Sequence, residues 1–147
     1  MAIIDVELVI REGKDSYLGQ EQTRSIANTL GRIFGTKPNR TWVRIRYLPS
    51  GQYAENEAPE GPAVLPTFIT ILKNRPPEPA HIAGQMLEIA QGLSPIIGRP
   101  AESIHILYEA TALGRLGIGG VLDGGCSNLR TWWELTAPSI PSTDTHF

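Results

Sequence analysis

An α/β fold built from a tandem β-α-β repeat is what three features of the sequence predict. β-branched segments of strand length flank longer segments with helical periodicity. Each helical segment ends at a glycine with a proline close behind (Gly35 and Pro38, then Gly98 and Pro100). The whole order then recurs. Strand starts at positions 2 and 66, strand exits at Arg11 and Arg75, and the helix-ending glycines stand 63 or 64 residues apart. Two copies make a fold duplication, too few for a solenoid array.

The elements follow in order. Ala2 to Ile10 alternates, with Ile4, Val6, Leu8 and Ile10 on one face and Asp5 and Glu7 on the other, so a strand with one buried face is predicted. From Leu18 to Phe34 the period becomes helical, and Ile26, Leu30, Ile33 and Phe34 form one apolar stripe. Thr41 to Leu48 alternates again. In the second copy Pro66 to Lys73 is a strand, Pro79 to Ile97 a helix with Ile82, Met86, Ile89 and Leu93 on one face, and Ser103 to Glu109 a strand. Each unit should set its two strands parallel through a right-handed crossover. Side by side the units give a four-stranded mixed sheet with both helices on one face. The other face needs a cover, and self-association is the simplest one. The chain is expected to be a single domain over residues 1–147. Its parts are a first unit 2–48, a connector 49–63, a second unit with a hairpin 64–120, and a tail 121–147 that carries Trp132 and Trp133.

Composition narrows the function classes. An apolar content of 41% with 19% charged residues fits a folded domain. A net charge of −2 gives no basic excess for nucleic acid. The lone Cys126 excludes an intramolecular disulfide and a thiolate cluster, and packing is its expected role. His81, His105 and His146 share no metal-ligand spacing, so neither metal nor cofactor is expected. GIGGVLDGG does not open a helix after a strand, so it is no dinucleotide fingerprint. No apolar run approaches the ~20 residues of a membrane span. The start MAIIDVELVIREG lacks the basic opening of a signal peptide, so no membrane partner and a cytoplasmic location are expected. Lys14 and Lys73 are expected to be solvent-exposed.

The strand starting at residue 2, the repeat, and the segment IHILYEATALGRLGIGG (104–120) together resemble the tautomerase superfamily. The segment is similar to the C-terminal part of a 4-oxalocrotonate tautomerase subunit. The chain looks like a fused member with two units, similar in size to malonate semialdehyde decarboxylase and cis-3-chloroacrylic acid dehalogenase. The resemblance covers about residues 2–120. It implies a homotrimer and a catalytic N-terminal proline exposed by removal of the initiator methionine. Here position 2 is Ala2. Its repeat mate Pro66 has an amide nitrogen without a basic lone pair and cannot substitute.

A free α-amine on Ala2 would still titrate at about 7.7–8.0 and serve as base, acid or Schiff-base nucleophile. What is lost is the ring that fixes the amine's direction. Alternatively, Ala2 simply starts a strand. The small carboxylate substrates that the resemblance implies suit a guanidinium fork. Arg11, its mate Arg75, and Arg44 and Arg46 on one strand face are the candidates. Arg44 and Arg46 can equally pair with Asp5, Glu7 or Glu109. His105 stands at the matching arginine position of the second copy. Tyr108 and Glu109 are candidates for an acid or a water-activating base. Leu116 and Ile118 would wall the site and keep water out. With these residues, the resemblance implies a tautomerase-type isomerase acting on a small enol or 2-oxo acid. The alternatives are a decarboxylase, hydratase or dehalogenase of the same superfamily, a non-catalytic trimeric anion-binding protein, or an interaction role for the Trp132–Trp133 tail.

Overall fold

The structure, a computed structural model, describes residues 1–75, 77–110, 114 and 116–123. Arg115, Cys126, Trp132, Trp133 and His146 lie outside the described residues. Strand β1 (Ala2–Ile10) leads to helix α1 (Gln20–Phe34) and strand β2 (Thr41–Pro49). Strand β3 (Thr67–Lys73), helix α2 (Pro79–Ile97) and strand β4 (Ile104–Tyr108) repeat the order. A hairpin follows, β5 (Leu116–Ile118) with β6 (Val121–Asp123). The expected bounds of β1 to β4 and of the two helices differ from these by two residues at most, whereas β6 falls in the stretch 121–147 that was expected to be tail.

The sheet order is β2-β1-β3-β4. β1 is parallel to β2 and β3 is parallel to β4, as the crossover argument requires. The two units meet antiparallel, with Ala2 opposite Lys73 and Leu8 opposite Thr67. The junction is therefore a pseudo-twofold: the start of β1 lies beside the end of β3, and the converse holds at the other end.

Both helices cover one face. Ile4, Val6, Leu8 and Ile10 from β1 and Ile69 and Ile71 from β3 pack with Ile26 and Leu30 of α1 and Ile89 and Leu93 of α2. Each such side chain contributes about 1.5–3 kcal/mol by leaving water. The helices touch closely at Gly92, where a Cβ would meet Thr29 Cγ2 at 3.1 Å. Both helices end at a left-handed glycine, Gly35 (φ 65°) and Gly98 (φ 77°), a conformation that a side chain disfavours.

Just past Gly98, Arg99 ties the two central strands. Its Nη2 donates to Val9 O at 2.5 Å, and its Nη1 donates to Pro66 O at 2.9 Å and to Thr67 Oγ1 at 3.3 Å. In the first copy the matching residue is Thr36, whose hydroxyl shares a 2.5 Å hydrogen bond with Thr41.

The open face of the sheet is less apolar than expected. It carries Asp5, Glu7, Arg44 and Arg46 beside Phe68, His105 and Leu107, because these positions alternate with the buried ones. Phe68 and His105 lie with ring centroids 5.5 Å apart, and Leu107 is 61% exposed.

Candidate active site

Three stretches of chain converge at the start of β1. Antiparallel pairing brings the end of β3 alongside, so Lys73 stands opposite Ala2. The turn after α1, opened by left-handed Gly35, returns to the same end, and the Ala2 N–H donates to Arg40 O at 2.9 Å. Between them is a cleft of about 410 Å³ whose lining includes Met1, Phe34, Lys37, Arg40, Lys73 and Arg75. Among the described residues four cations line it and no carboxylate does. Such a cleft attracts small anions and disfavours further positive charge.

Lys73 is half-buried, with Nζ 4.4 Å from the centroid of the Phe34 ring. The expectation that it is solvent-exposed is therefore corrected: as the last residue of β3 it points to the helix side, as does Ala2 opposite. Burial holds its ammonium pKa below the usual lysine value. Lys14 is exposed, as expected. Arg75 is exposed, and neither it nor Lys73 has a carboxylate partner among the described residues.

The other candidates fall elsewhere. Arg11 is at the far end of β1, in a cleft of about 490 Å³ with Glu55, Glu57 and Glu60. Tyr53 donates to Glu55 Oε2 there at 2.6 Å. Arg44 lies on the open sheet face in a forked pair with Asp5, Nε to Oδ1 at 2.7 Å and Nη2 to Oδ2 at 2.9 Å. The hydrogen bond and charge of Asp5 raise its pKa. Arg46 reaches the same carboxylate at 3.8 Å. Tyr108 and Glu109 are at the Ala2 end of the sheet, since the Glu109 N–H donates to Ile71 O at 2.9 Å, but neither lines the cleft. The Tyr108 hydroxyl donates to Gln85 Oε1 of α2, and burial pushes its pKa up to about 12. A phenol so weakly acidic gives up its proton reluctantly near neutrality. Leu116 and Ile118 belong to β5, which pairs with β6 and with no other strand among the described residues.

Of the residues singled out from sequence, Arg75 lines the cleft, and Ala2, fully buried, adjoins it through Met1 and its pairing with Lys73. Lys37, Arg40 and Lys73 were missed as site residues. The signal for Lys73 was available: antiparallel docking of the two units places the last residue of β3 opposite Ala2. Among the described residues no group of three or more His, Cys, Asp or Glu could hold a metal, and no helix is long and apolar enough to cross a membrane.

The pseudo-twofold of two β-α-β units, with both helices on one face and a cleft at the start of β1, decides the fold. The chain has the tautomerase fold. Among solved structures it superposes on macrophage migration inhibitory factor from Trichinella spiralis with a TM-score of 0.61 at 16% identity, over 80% of this chain and 96% of that one. A fused 4-OT, described as a symmetric trimer, gives 0.60 at 10% identity over 88% and 95%. A malonate semialdehyde decarboxylase inhibited by 3-bromopropiolate gives 0.59 at 15% identity over 95% and 99%. In sequence, this tautomerase-fold chain matches no family model and no curated protein.

Proposed function

We propose that the chain is a tautomerase-type isomerase acting on a small enol or 2-oxo acid in the cleft at the start of β1. The observation that carries this reading is the opposite charge of the two clefts that hold the repeat mates Arg75 and Arg11. Among the described residues, the one holding Arg75 is lined by four cations without a carboxylate, and the one holding Arg11 carries three glutamates. Only the first suits an anion.

With Met1 removed, the Ala2 nitrogen is a primary amine at the edge of the cleft. A primary amine in that position is a competent general base or acid. Its hydrogen bond to Arg40 O supplies the orientation that a proline ring would otherwise give. The fork of Arg75 holds the substrate carboxylate. The amine takes the proton of the enol oxygen and returns it to carbon, so that no net proton is consumed. Decarboxylation of a 3-oxo acid is a close variant, in line with the inhibited decarboxylase of the same fold. Self-association as a homotrimer is part of this reading, supported by the symmetric trimer of the fused 4-OT.

A second reading has its own support. Met1 lines the cleft, and while it is attached the Ala2 nitrogen is an amide without basicity. The same four cations would then make a non-catalytic site for a small dicarboxylate.

The test is ultraviolet ketonisation of phenylenolpyruvate and 2-hydroxymuconate by untagged protein, with intact mass read on the same sample. Turnover by protein lacking Met1, lost in Arg75→Ala, is the expected result. No turnover, together with thermal stabilisation by dicarboxylates, would establish the binding reading.

A further inference from the structure

We propose that Lys73 is a second reactive amine of this cleft, forming an imine with the carbonyl carbon of a 2-oxo acid whose carboxylate lies on Arg75 and Arg40. The proposal rests on the reading of the cleft as a small oxo-acid site and adds a covalent step to it.

Four observations carry it. Lys73 lines the cleft together with both arginines. It stands directly across the β1–β3 ladder from Ala2, so its stem enters on the same side of the sheet. Its Nζ rests against the Phe34 ring and not in bulk water. No carboxylate pairs with it among the described residues, although an anionic partner is what would hold a lysine charged. Lys73 is half-buried in a cleft that it shares with Lys37, Arg40 and Arg75, and burial shifts it toward its neutral form. A neutral amine is the nucleophile that imine formation needs. Lys37 shares the cleft but is exposed, and Lys14 is exposed outside it.

The chemistry balances without an added oxidant. The Nζ lone pair adds to the carbonyl carbon, and the carbonyl oxygen takes up a proton. The carbinolamine then expels that oxygen as water and leaves a protonated imine. The imine draws electrons from the adjacent carbon, whose proton passes to the Ala2 amine. The Ala2 ammonium returns the proton to carbon, and hydrolysis of the restored imine then reverses the addition and frees Lys73.

The test is reductive trapping. Pyruvate and sodium cyanoborohydride are added to the full-length protein, and the three lysines and the N-terminus are mapped by peptide mass. The expected result is a reduced pyruvyl adduct on Lys73 that outruns Lys14 and Lys37 by tenfold or more and is abolished in Lys73→Arg. The rate on Lys73 should reach half its plateau at a lower pH than the rate on Lys14. Labelling of the three lysines at equal rates, labelling of the N-terminus alone, or none at all would overturn the proposal. Ketonisation of phenylenolpyruvate is followed in parallel. Turnover without a Lys73 adduct removes the covalent step and leaves the isomerase reading standing. Loss of both removes the two together.

Discussion

Arg11 and Arg75 occupy matching places in the two copies, yet one faces glutamates and the other faces cations. Charge context therefore separates two residues that composition and register make equivalent. Arg75→Ala is expected to lower kcat/KM for ketonisation at least tenfold, ~1.4 kcal/mol of transition-state binding, with a smaller loss for Arg11→Ala. Steady-state kinetics on the two variants checks this. Tyr108 gives a pH prediction. Its phenol keeps its proton in the folded protein up to about 12, whereas an unfolded tyrosine ionises at about 10. Between these values the unfolded chain holds fewer protons, so stability falls as pH rises through that window. Denaturant titrations from pH 9 to 12 should show a fall that is smaller in Tyr108→Phe. Arg44 illustrates a residue whose nearest partner decides its role. Its fork is taken up by Asp5, although the arginine is 68% exposed and the pair adds little stability.

At the scale of the element, helix–helix contact is most exacting at Gly92. Gly92→Leu would drive a branched side chain into Thr29 and Ile33, a cost of about 1–3 kcal/mol. A melting temperature lower by several degrees is the expected readout. The strands and helices themselves were legible in the sequence because each signal was local. Ile4, Val6, Leu8 and Ile10 alternate, Ile26 and Leu30 repeat with helical period, and Gly35 and Gly98 stop their helices. The cleft was not legible, because it depends on how the two units dock. Lys73 reads as a charged strand end until antiparallel pairing sets it opposite Ala2 and beside Phe34. Arg40 reads as a loop cation until its carbonyl accepts the Ala2 N–H. Partner choice among Asp5, Glu7 and Glu109 for Arg44 likewise needed the cross-strand register.

For the whole molecule, the uncovered sheet face bears on assembly. Leu107 is exposed on the same face that carries Asp5 and Arg44 two strands or more away, so a covering surface must meet both apolar and ionic groups. Sedimentation of the untagged protein is expected to give the mass of three chains, and Leu107→Asp to shift it toward smaller species while each chain stays folded. The clamp made by Arg99 has a consequence of another kind. The second copy closes its end of the central strand pair with its own guanidinium, whereas the first copy, with Thr36 at that place, leaves its end accessible. In a saturation library, substitutions at Arg99 should vanish when cells are sorted for protein abundance. Substitutions at Lys73 and Arg75 should survive that sort and be purged only when growth requires the reaction. One end of the central strand pair is then answerable for inheritance of the scaffold, and the other is left free to acquire new chemistry.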